Sequence, residues 1–290
     1  MFAPMARRPL WIWPNILSFD APLVALAWFW MFKQIWLVKY HQPSLPWLLA
    51  LTVWCIYVAD RLMDSRGLRG SDPTLALRHR FHCDHRGLMK IALCAGVVGV
   101  FFLLLRQSRG LLAYAYPVAI PVLLYFVISF GSPGRGVCWF KNVVAGLAFA
   151  YGTAVGVHFR SGSSVGVHEL ALSPEVVVFA LLCMINMMVI DYWESGSEEE
   201  EIIEGDDREI ENMIIRILLL ALVIACYLLA GSAEGFGSQI HKAFYLAAMV
   251  GAGGLAFLAL FRQFFSPVSL RILADVALLL PLPFFWLFAY

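Results

Sequence analysis

The stretch YVADRLMDSRG, residues 57–67, closes an apolar run and opens a basic one. Its two aspartates, Asp60 and Asp64, are four residues apart and therefore share one side of a helix. A charge inside a membrane span is costly, about 2.5 kcal/mol or more at the bilayer centre. We therefore expect cationic neighbours such as Arg61 or Arg66. The pair then either marks the end of a span as an acid–base cluster or belongs to a functional site.

The composition is that of a membrane protein. Of 290 residues, 61% are hydrophobic and 14% are charged, whereas soluble domains carry about 25% charged residues. The net charge of +1 gives no basic excess for binding nucleic acid. The six cysteines are scattered and indicate no disulfide framework.

Nine apolar segments are long enough, or nearly so, to cross a bilayer, which takes about 20 residues each. Helices are the expected form, because irregular backbone cannot face lipid. The sequence thus predicts an all-α membrane protein with a single domain over residues 1–290. The predicted spans are residues 16–37, 46–63, 88–105, 111–130, 142–158, 175–193, 213–230, 243–261 and 270–289.

The distribution of lysine and arginine predicts the orientation. With the N-terminus inside, fifteen of the 21 basic residues fall on the cytoplasmic side and six on the other. This topology predicts a multi-pass protein of the plasma or inner membrane with a cytoplasmic N-terminus. It places the end of span two, with Asp60 and Asp64, at the cytoplasmic surface.

Span six ends in a second polar group, within CMINMMVIDYWESGSEEEE, residues 183–201. Asp191, Glu194 and Ser195 share one helical face, and Asn186 lies further inside the apolar run. In the predicted topology this helix also ends at the cytoplasmic surface. Two helices should therefore present oxygen-rich faces at the same depth. The acidic run Glu198–Glu201 that follows is most simply a solvated face.

Two facing carboxylate clusters suit a metal–diphosphate site. Mg²⁺ in proteins is usually held by one or two carboxylates together with waters and substrate phosphates. The metal would make diphosphate a leaving group. Basic and amide groups for the phosphates are available at the start of span five and in the loop after span two: Lys141, Asn142, Arg66, Arg69, Arg78 and Arg80.

These motifs resemble the UbiA superfamily of intramembrane prenyltransferases, nine-helix proteins with aspartate-rich motifs at the cytoplasmic ends of helices two and six. The first family motif reads NDxxDxxxD, and its last two aspartates match Asp60 and Asp64. FKNVVAGLAFAYG, residues 140–152, resembles helix five of the family, where Lys141 takes the place of the basic residue that binds diphosphate.

The sequence also departs from the family pattern. Ile56 and Tyr57 stand where the first motif has Asn-Asp. The second motif is represented by Asn186, Asp191, Glu194 and Ser195 rather than by a row of aspartates. The set of metal-binding groups is therefore smaller than the family pattern.

The resemblance implies a bundle around a central cavity open to the cytoplasmic side. It implies a Mg²⁺-dependent prenyltransferase that moves an isoprenoid group from a prenyl diphosphate to an aromatic or other lipophilic acceptor. The residues expected to act in catalysis are Asp20, Asp60, Asp64 and Asp191, with Mg²⁺ held by Asp60, Asp64, Asn186, Asp191 and Glu194.

Two further acids lie inside predicted spans, and an ionisable residue there indicates a functional site. Asp20 in span one is the candidate for orienting or deprotonating the acceptor, and Asp275 in span nine would face the same cavity. Two alternatives remain open at this stage. One is a terpene cyclase on the same scaffold, and the other is a non-enzymatic membrane carrier.

Overall fold

The computed structural model describes residues 9–64, 77–131, 139–162, 166–195, 205–233 and 238–289. All regular structure within these ranges is helical. In chain order the α-helices are α1 (Trp13–Ile16), α2 (Asp20–Ile35), α3 (Ser44–Asp64), α4 (Leu77–Asp84), α5 (Arg86–Leu105), α6 (Arg109–Ala115), α7 (Ala119–Gly131), α8 (Trp139–His158), α9 (Val167–Leu172), α10 (Pro174–Ser195), α11 (Gly205–Ser232), α12 (Ser238–Leu260), α13 (Pro267–Leu279) and α14 (Pro281–Ala289).

Eight segments of the described chain are long and apolar enough to cross a membrane. They correspond to predicted spans two to nine, with α6 and α7 forming one segment and α13 and α14 another. Several long apolar helices of this kind indicate a multi-pass membrane protein.

The structure of the first span differs from the single continuous helix that was predicted. Its helical part is α2, which is preceded by the short helical segment Leu10–Ile16 at an angle of 85°. The backbone turns at Ser18, whose φ of 61° lies in the left-handed region that a non-glycine residue seldom adopts. The count rises to nine only if this bent pair is taken as one span.

Helix α10 is the centre of the bundle. In its membrane-length segment 72% of the residues are buried, against 11% for α5, which lies at the periphery. The aromatic core beside α10 is tightly packed: Trp28 of α2 stacks on Phe179 with ring centroids 4.0 Å apart. The indole nitrogen of Trp28 also donates a hydrogen bond to the carbonyl of Leu278 at 2.9 Å, which ties α2 to α13.

Small residues let α8 approach its neighbours closely, as in many membrane helix pairs. At Gly146 a Cβ atom would lie 2.9 Å from the backbone nitrogen of Met184 in α10. Asn142 lies one turn before Gly146 on the same face of α8. The close approach at Gly146 therefore brings Asn142 against the end of α10, where Asp191 lies.

Candidate active-site cavity

A cavity of about 650 Å³ lies between α3, α7, α8 and α10, with α2 and α13 closing one end. At that end, where α3 and α10 finish and α8 begins, the lining is rich in charged and amide side chains. We call it the polar end. Its lining residues are Asp20, Asp60, Asp64, Tyr125, Lys141, Asn142, Asn186, Asp191, Glu194, Arg271 and Asp275.

The rest of the cavity is mostly apolar, with Thr52, Tyr57, Gln107 and Thr153 as its polar lining residues. Residues of one face of α3 line it from the polar end back to the start of the helix, at Leu45. The small residues of α8 line the opposite wall, as far as Gly156. At the far end Leu45 packs against Gly156, since a Cβ on Gly156 would lie 2.9 Å from Leu45 Cδ1. We call this part the apolar end.

Asp60, at the end of α3, is bonded from two other helices. The Tyr125 hydroxyl of α7 donates a hydrogen bond to Asp60 Oδ1 at 2.6 Å. Lys141 Nζ of α8 lies 4.0 Å from the same oxygen and 5.2 Å from the centre of the Tyr125 ring. Lys141 therefore supplies part of the positive charge that the sequence requires near Asp60.

The second acidic helix end is also bonded to neighbouring helices. Asn142 Nδ2 donates a hydrogen bond to Asp191 Oδ2 at 2.8 Å, which joins α8 to α10. Arg271 Nη1 donates to Glu194 Oε1 at 2.6 Å, which joins α13 to α10. Asp191 and Glu194 thus lie in the same cavity as Asp60 and Asp64, although they come from a distant part of the chain.

Asp20 is 8% exposed and lies in a tight hydrogen-bonded group at the bend before α2. Asn15 Nδ2 donates to Asp20 Oδ2 at 2.7 Å, and the backbone nitrogen of Ala21 donates to Oδ1 at 3.0 Å. Arg61 Nη2 lies 3.8 Å from Asp20 Oδ2, and its Nη1 donates to the Asn15 carbonyl at 2.6 Å. Arg61 was expected beside Asp60 and Asp64, but the contacts above direct its guanidinium to the bend before α2.

Two more polar residues reach the cavity beside Asp20. Asp275 Oδ2 accepts a second, longer hydrogen bond from Asn15 Nδ2 at 3.5 Å. Asn186 is 6% exposed, and its buried amide oxygen accepts no hydrogen bond from the described residues. A buried acceptor without a donor is unfavourable, and most such groups in folded proteins are paired.

The arginines predicted for the diphosphate are only partly located. Arg66 and Arg69 lie outside the described residues, and Arg78 lies on α4 with a side chain that is also outside them. Arg80 lies on α4 and is not among the described residues that line the cavity. Of the predicted phosphate-binding residues, Lys141 and Asn142 are the two that line the polar end.

Three residues that bond the predicted acids were not among the site residues predicted from the sequence. Tyr125, Asn15 and Arg271 each bond one of the predicted acids. Two of them carried a recognisable signal: Tyr125 is the one hydroxyl within the apolar run PVLLYFVI, residues 121–128, and Arg271 lies one turn before Asp275 in a predicted span. Asn15 precedes the predicted span, and only the bend before α2 brings it against Asp20 and Asp275.

The oxygen atoms at the polar end are of the kind that Mg²⁺ prefers, although they do not form a complete metal site by themselves. Carboxylates from α3 and α10 supply hard oxygen ligands. Across the described parts of the chain, no three or more His, Cys, Asp or Glu side chains are grouped closely enough to hold a metal by themselves. Mg²⁺ typically needs only one or two protein carboxylates, because waters and substrate phosphates complete its coordination. The residues present therefore fit a metal that binds together with a phosphate ester.

No family model, no curated protein and no solved structure matches the chain. Function is therefore inferred from the cavity and its residues.

Proposed function

We propose that the chain is an integral membrane prenyltransferase that transfers an isoprenoid group from a prenyl diphosphate to a lipophilic acceptor. One observation supports this most directly: acids from α3 and α10 and a lysine from α8 share the polar end of a cavity whose remainder is mostly apolar. A prenyl diphosphate has the same division between a charged head and a long apolar tail.

The charges of the polar end favour a metal-dependent reaction. Six carboxylates line it, whereas the described cations in or directly behind it are Lys141, Arg271 and Arg61. This excess of negative charge would repel a diphosphate, because charges interact strongly where water is scarce. Mg²⁺ bound to one or two of the carboxylates Asp60, Asp64, Asp191 and Glu194 would offset part of this excess and turn diphosphate into a leaving group.

The chain's own residues would orient the head group and protect the reaction. Lys141 stands at the start of α8, where its ammonium can contact a phosphate oxygen while it stays close to Asp60. Asn142 holds Asp191 through its amide hydrogen bond. The apolar walls exclude water from the allylic cation that develops as diphosphate departs. Asp20, at the bend before α2, accepts the proton that the acceptor loses.

The dimensions of the apolar end favour a chain of about twenty carbons. From Asp60 back to Leu45, α3 lines the cavity over fifteen residues, or about 22 Å at 1.5 Å per residue. A geranylgeranyl chain has sixteen main-chain carbons, and at about 1.25 Å each it extends about 20 Å. We propose geranylgeranyl diphosphate as the first substrate to test.

The proposed orientation follows the basic residues of the loops. The excess of lysine and arginine at one side puts the polar end at the cytoplasmic surface by the positive-inside rule. A soluble prenyl diphosphate head group would then enter from the cytoplasm while its tail stays beside the lipid.

The test uses the full chain, purified in detergent, with labelled geranylgeranyl diphosphate in the presence and absence of Mg²⁺. We expect metal-dependent release of diphosphate that falls at least a thousandfold in Asp60→Asn and in Asp191→Asn. Glu169→Gln is the matched control, because Glu169 is exposed and does not line the cavity.

The products separate the competing functions. A product mass equal to acceptor plus prenyl group supports transfer, and a cyclic hydrocarbon or alcohol supports the cyclase. Equal behaviour of wild type and both aspartate variants, with no diphosphate released, contradicts an enzyme and favours a carrier.

A further inference from the structure

Four polar residues form a second layer of the cavity beneath Asp60 and Asp191. One of them, Asn186, was expected to bind Mg²⁺ but lies more than one helical turn deeper than Asp191. Tyr57 precedes Asp60 by three residues, and Asn186 precedes Asp191 by five, which are about 4.5 and 7.5 Å along their helices. Asp20 and Asp275 complete the layer from α2 and α13. We call Asp20, Tyr57, Asn186 and Asp275 the deep polar layer.

The deep polar layer is held in place by buried side chains behind it. A single amide, Asn15 Nδ2, donates to both Asp20 and Asp275, which draws the two carboxylates together. Arg61 is 3% exposed, bonds the Asn15 carbonyl and lies 3.8 Å from Asp20. The two carboxylates are therefore linked through one amide, and both residues line the cavity.

The deep polar layer is rich in groups that accept hydrogen bonds. It contains two carboxylates, Asp20 and Asp275, and Arg61 Nη2 lies 3.8 Å from the first of them. Asn186 adds a buried amide oxygen that accepts no hydrogen bond from the described residues. The amide plane of asparagine rotates readily, so this oxygen can turn toward a donor in the cavity.

Another buried cluster in the same protein shows how a purely structural network differs. Glu175, at the start of α10, is 7% exposed and does not line the cavity. Its Oε1 accepts hydrogen bonds from His241 and Tyr245, both at 2.8 Å, and its Oε2 accepts one from Ser173 at 2.7 Å. Both oxygens of Glu175 are thus satisfied within the fold. In the deep polar layer, by contrast, Asn186 lines the cavity, and its amide oxygen has no donor among the residues that the structure describes.

We propose that the deep polar layer binds the prenyl acceptor, and that the acceptor presents a hydroxyl or amine there rather than a carboxylate. The inference rests on the proposed function and adds the acceptor class to it. A donor group would satisfy Asn186 and the two carboxylates, whereas a carboxylate would add like charge next to Asp20 and Asp275. In a low-dielectric cavity that repulsion is strong.

The reaction balances without a further reagent. The acceptor oxygen or nitrogen supplies the electron pair for a new bond to C1 of the prenyl group. The bond from C1 to the diphosphate oxygen breaks, and its electrons leave with diphosphate. The proton of the acceptor passes to the Asp20 carboxylate, which is within the layer that binds that group.

Three acceptors that share one ring and differ in a single functional group test the proposal: benzyl alcohol, benzylamine and benzoate. Each is incubated with the purified full chain, Mg²⁺ and labelled geranylgeranyl diphosphate. Prenylated product is measured by mass, and the thermal stability of the protein is measured with each compound. We expect kcat/KM for the alcohol and amine to exceed that for the carboxylate at least tenfold, and only those two to raise the melting temperature.

The variant Asp275→Asn tests the origin of the discrimination. It removes one of the two charges, so the preference for amine over carboxylate should fall about tenfold, while Glu169→Gln should leave it as in wild type. The ratio of two acceptors is measured within each variant, so a general loss of folded protein does not alter it.

The outcomes distinguish the acceptor proposal from the function on which it rests. Equal or better use of the carboxylate overturns the acceptor proposal and leaves the prenyltransferase standing. Diphosphate release with no product and no stabilisation by any of the three compounds also overturns it. Absence of metal-dependent diphosphate release under all conditions overturns the proposed function itself.

Discussion

The polar and apolar ends of the cavity are built in different ways. The polar end combines side chains from six helices, α2, α3, α7, α8, α10 and α13, and nearly every acid there is bonded to a residue of another helix. The apolar end is formed by continuous faces of α3 and α8 and by apolar residues of α6 and α7. A substitution at the polar end should therefore disturb several helices, whereas one at the apolar end should change only the space available.

The largest effect is expected at Arg61, which is 3% exposed beside the buried Asp20. Replacing Arg61 by methionine leaves that carboxylate without its cation. Loss of one partner of a buried ion pair costs about 3–5 kcal/mol. We expect Arg61→Met to lower the free energy of unfolding by that amount, measured by denaturant unfolding in one detergent.

Two variants sharpen that result. Arg61→Lys keeps the charge and should recover part of the stability. Arg106→Met removes an arginine whose side chain is exposed, and it should change the free energy of unfolding very little. Equal stabilities of Arg61→Met and Arg106→Met would show that the Arg61–Asp20 contact does not support the polar end.

Contacts between distant parts of the chain, such as Arg61 with Asp20, limit what can be predicted from the sequence alone. The helical class and spans two to nine followed from apolar segment lengths, which depend only on the local sequence. Asp60, Asp64 and Asp191 could be selected because an acid at the edge of an apolar run is unusual. The partner of Asp20 could not be predicted in this way. Arg61 was expected to pair with Asp60 and Asp64, its neighbours in sequence, but its guanidinium contacts the bend before α2.

The bend before α2 was the second feature that could not be predicted from the sequence. An 85° turn between Leu10–Ile16 and α2 is invisible to a search for apolar segments, which began span one at residue 16 and gave no direction to the residues before it. That turn is what brings Asn15 back to Asp20 and Asp275. A polar residue just before a predicted span was therefore part of the site without any periodic pattern to indicate it.

At the apolar end the expected effect is on chain length. Gly152 follows Lys141 by eleven residues, about 16 Å along α8. A Cβ there has no contact closer than 4.0 Å, to Val118 Cγ1, so a leucine can enter the cavity without a backbone clash. We expect Gly152→Leu to lower kcat/KM for geranylgeranyl diphosphate about 50-fold, within the range for small volume changes in apolar pockets.

The same variant should spare a shorter chain. A farnesyl group has twelve main-chain carbons and extends about 15 Å, so it ends before Gly152. Gly253→Leu is the control, since a Cβ at Gly253 meets nothing within 4 Å and Gly253 is outside the cavity lining. If Gly152→Leu slows both diphosphates equally, the tail does not occupy the apolar end.

The smallest of these effects should come from a single hydroxyl at the polar end. Tyr125 donates a hydrogen bond to Asp60 Oδ1 at 2.6 Å, and its ring also lies 5.2 Å from Lys141 Nζ. Phenylalanine keeps the ring and removes only the donor, so Asp60 loses the group that orients it. Loss of such a supporting hydrogen bond commonly lowers metal affinity 10- to 100-fold. We expect Tyr125→Phe to raise the Mg²⁺ concentration for half-maximal diphosphate release about tenfold. This is the lower end of the 10- to 100-fold range, because Lys141 still lies near Asp60.

Tyr227→Phe provides the matched comparison, since Tyr227 is 67% exposed on α11 and does not line the cavity. Its Mg²⁺ titration should coincide with that of wild type. If the Tyr125→Phe titration also coincides with it, Asp60 does not need its bond to α7 to act. The polar end would then be less interdependent than its bonding pattern implies, and the contrast between the two ends of the cavity would rest on charge alone.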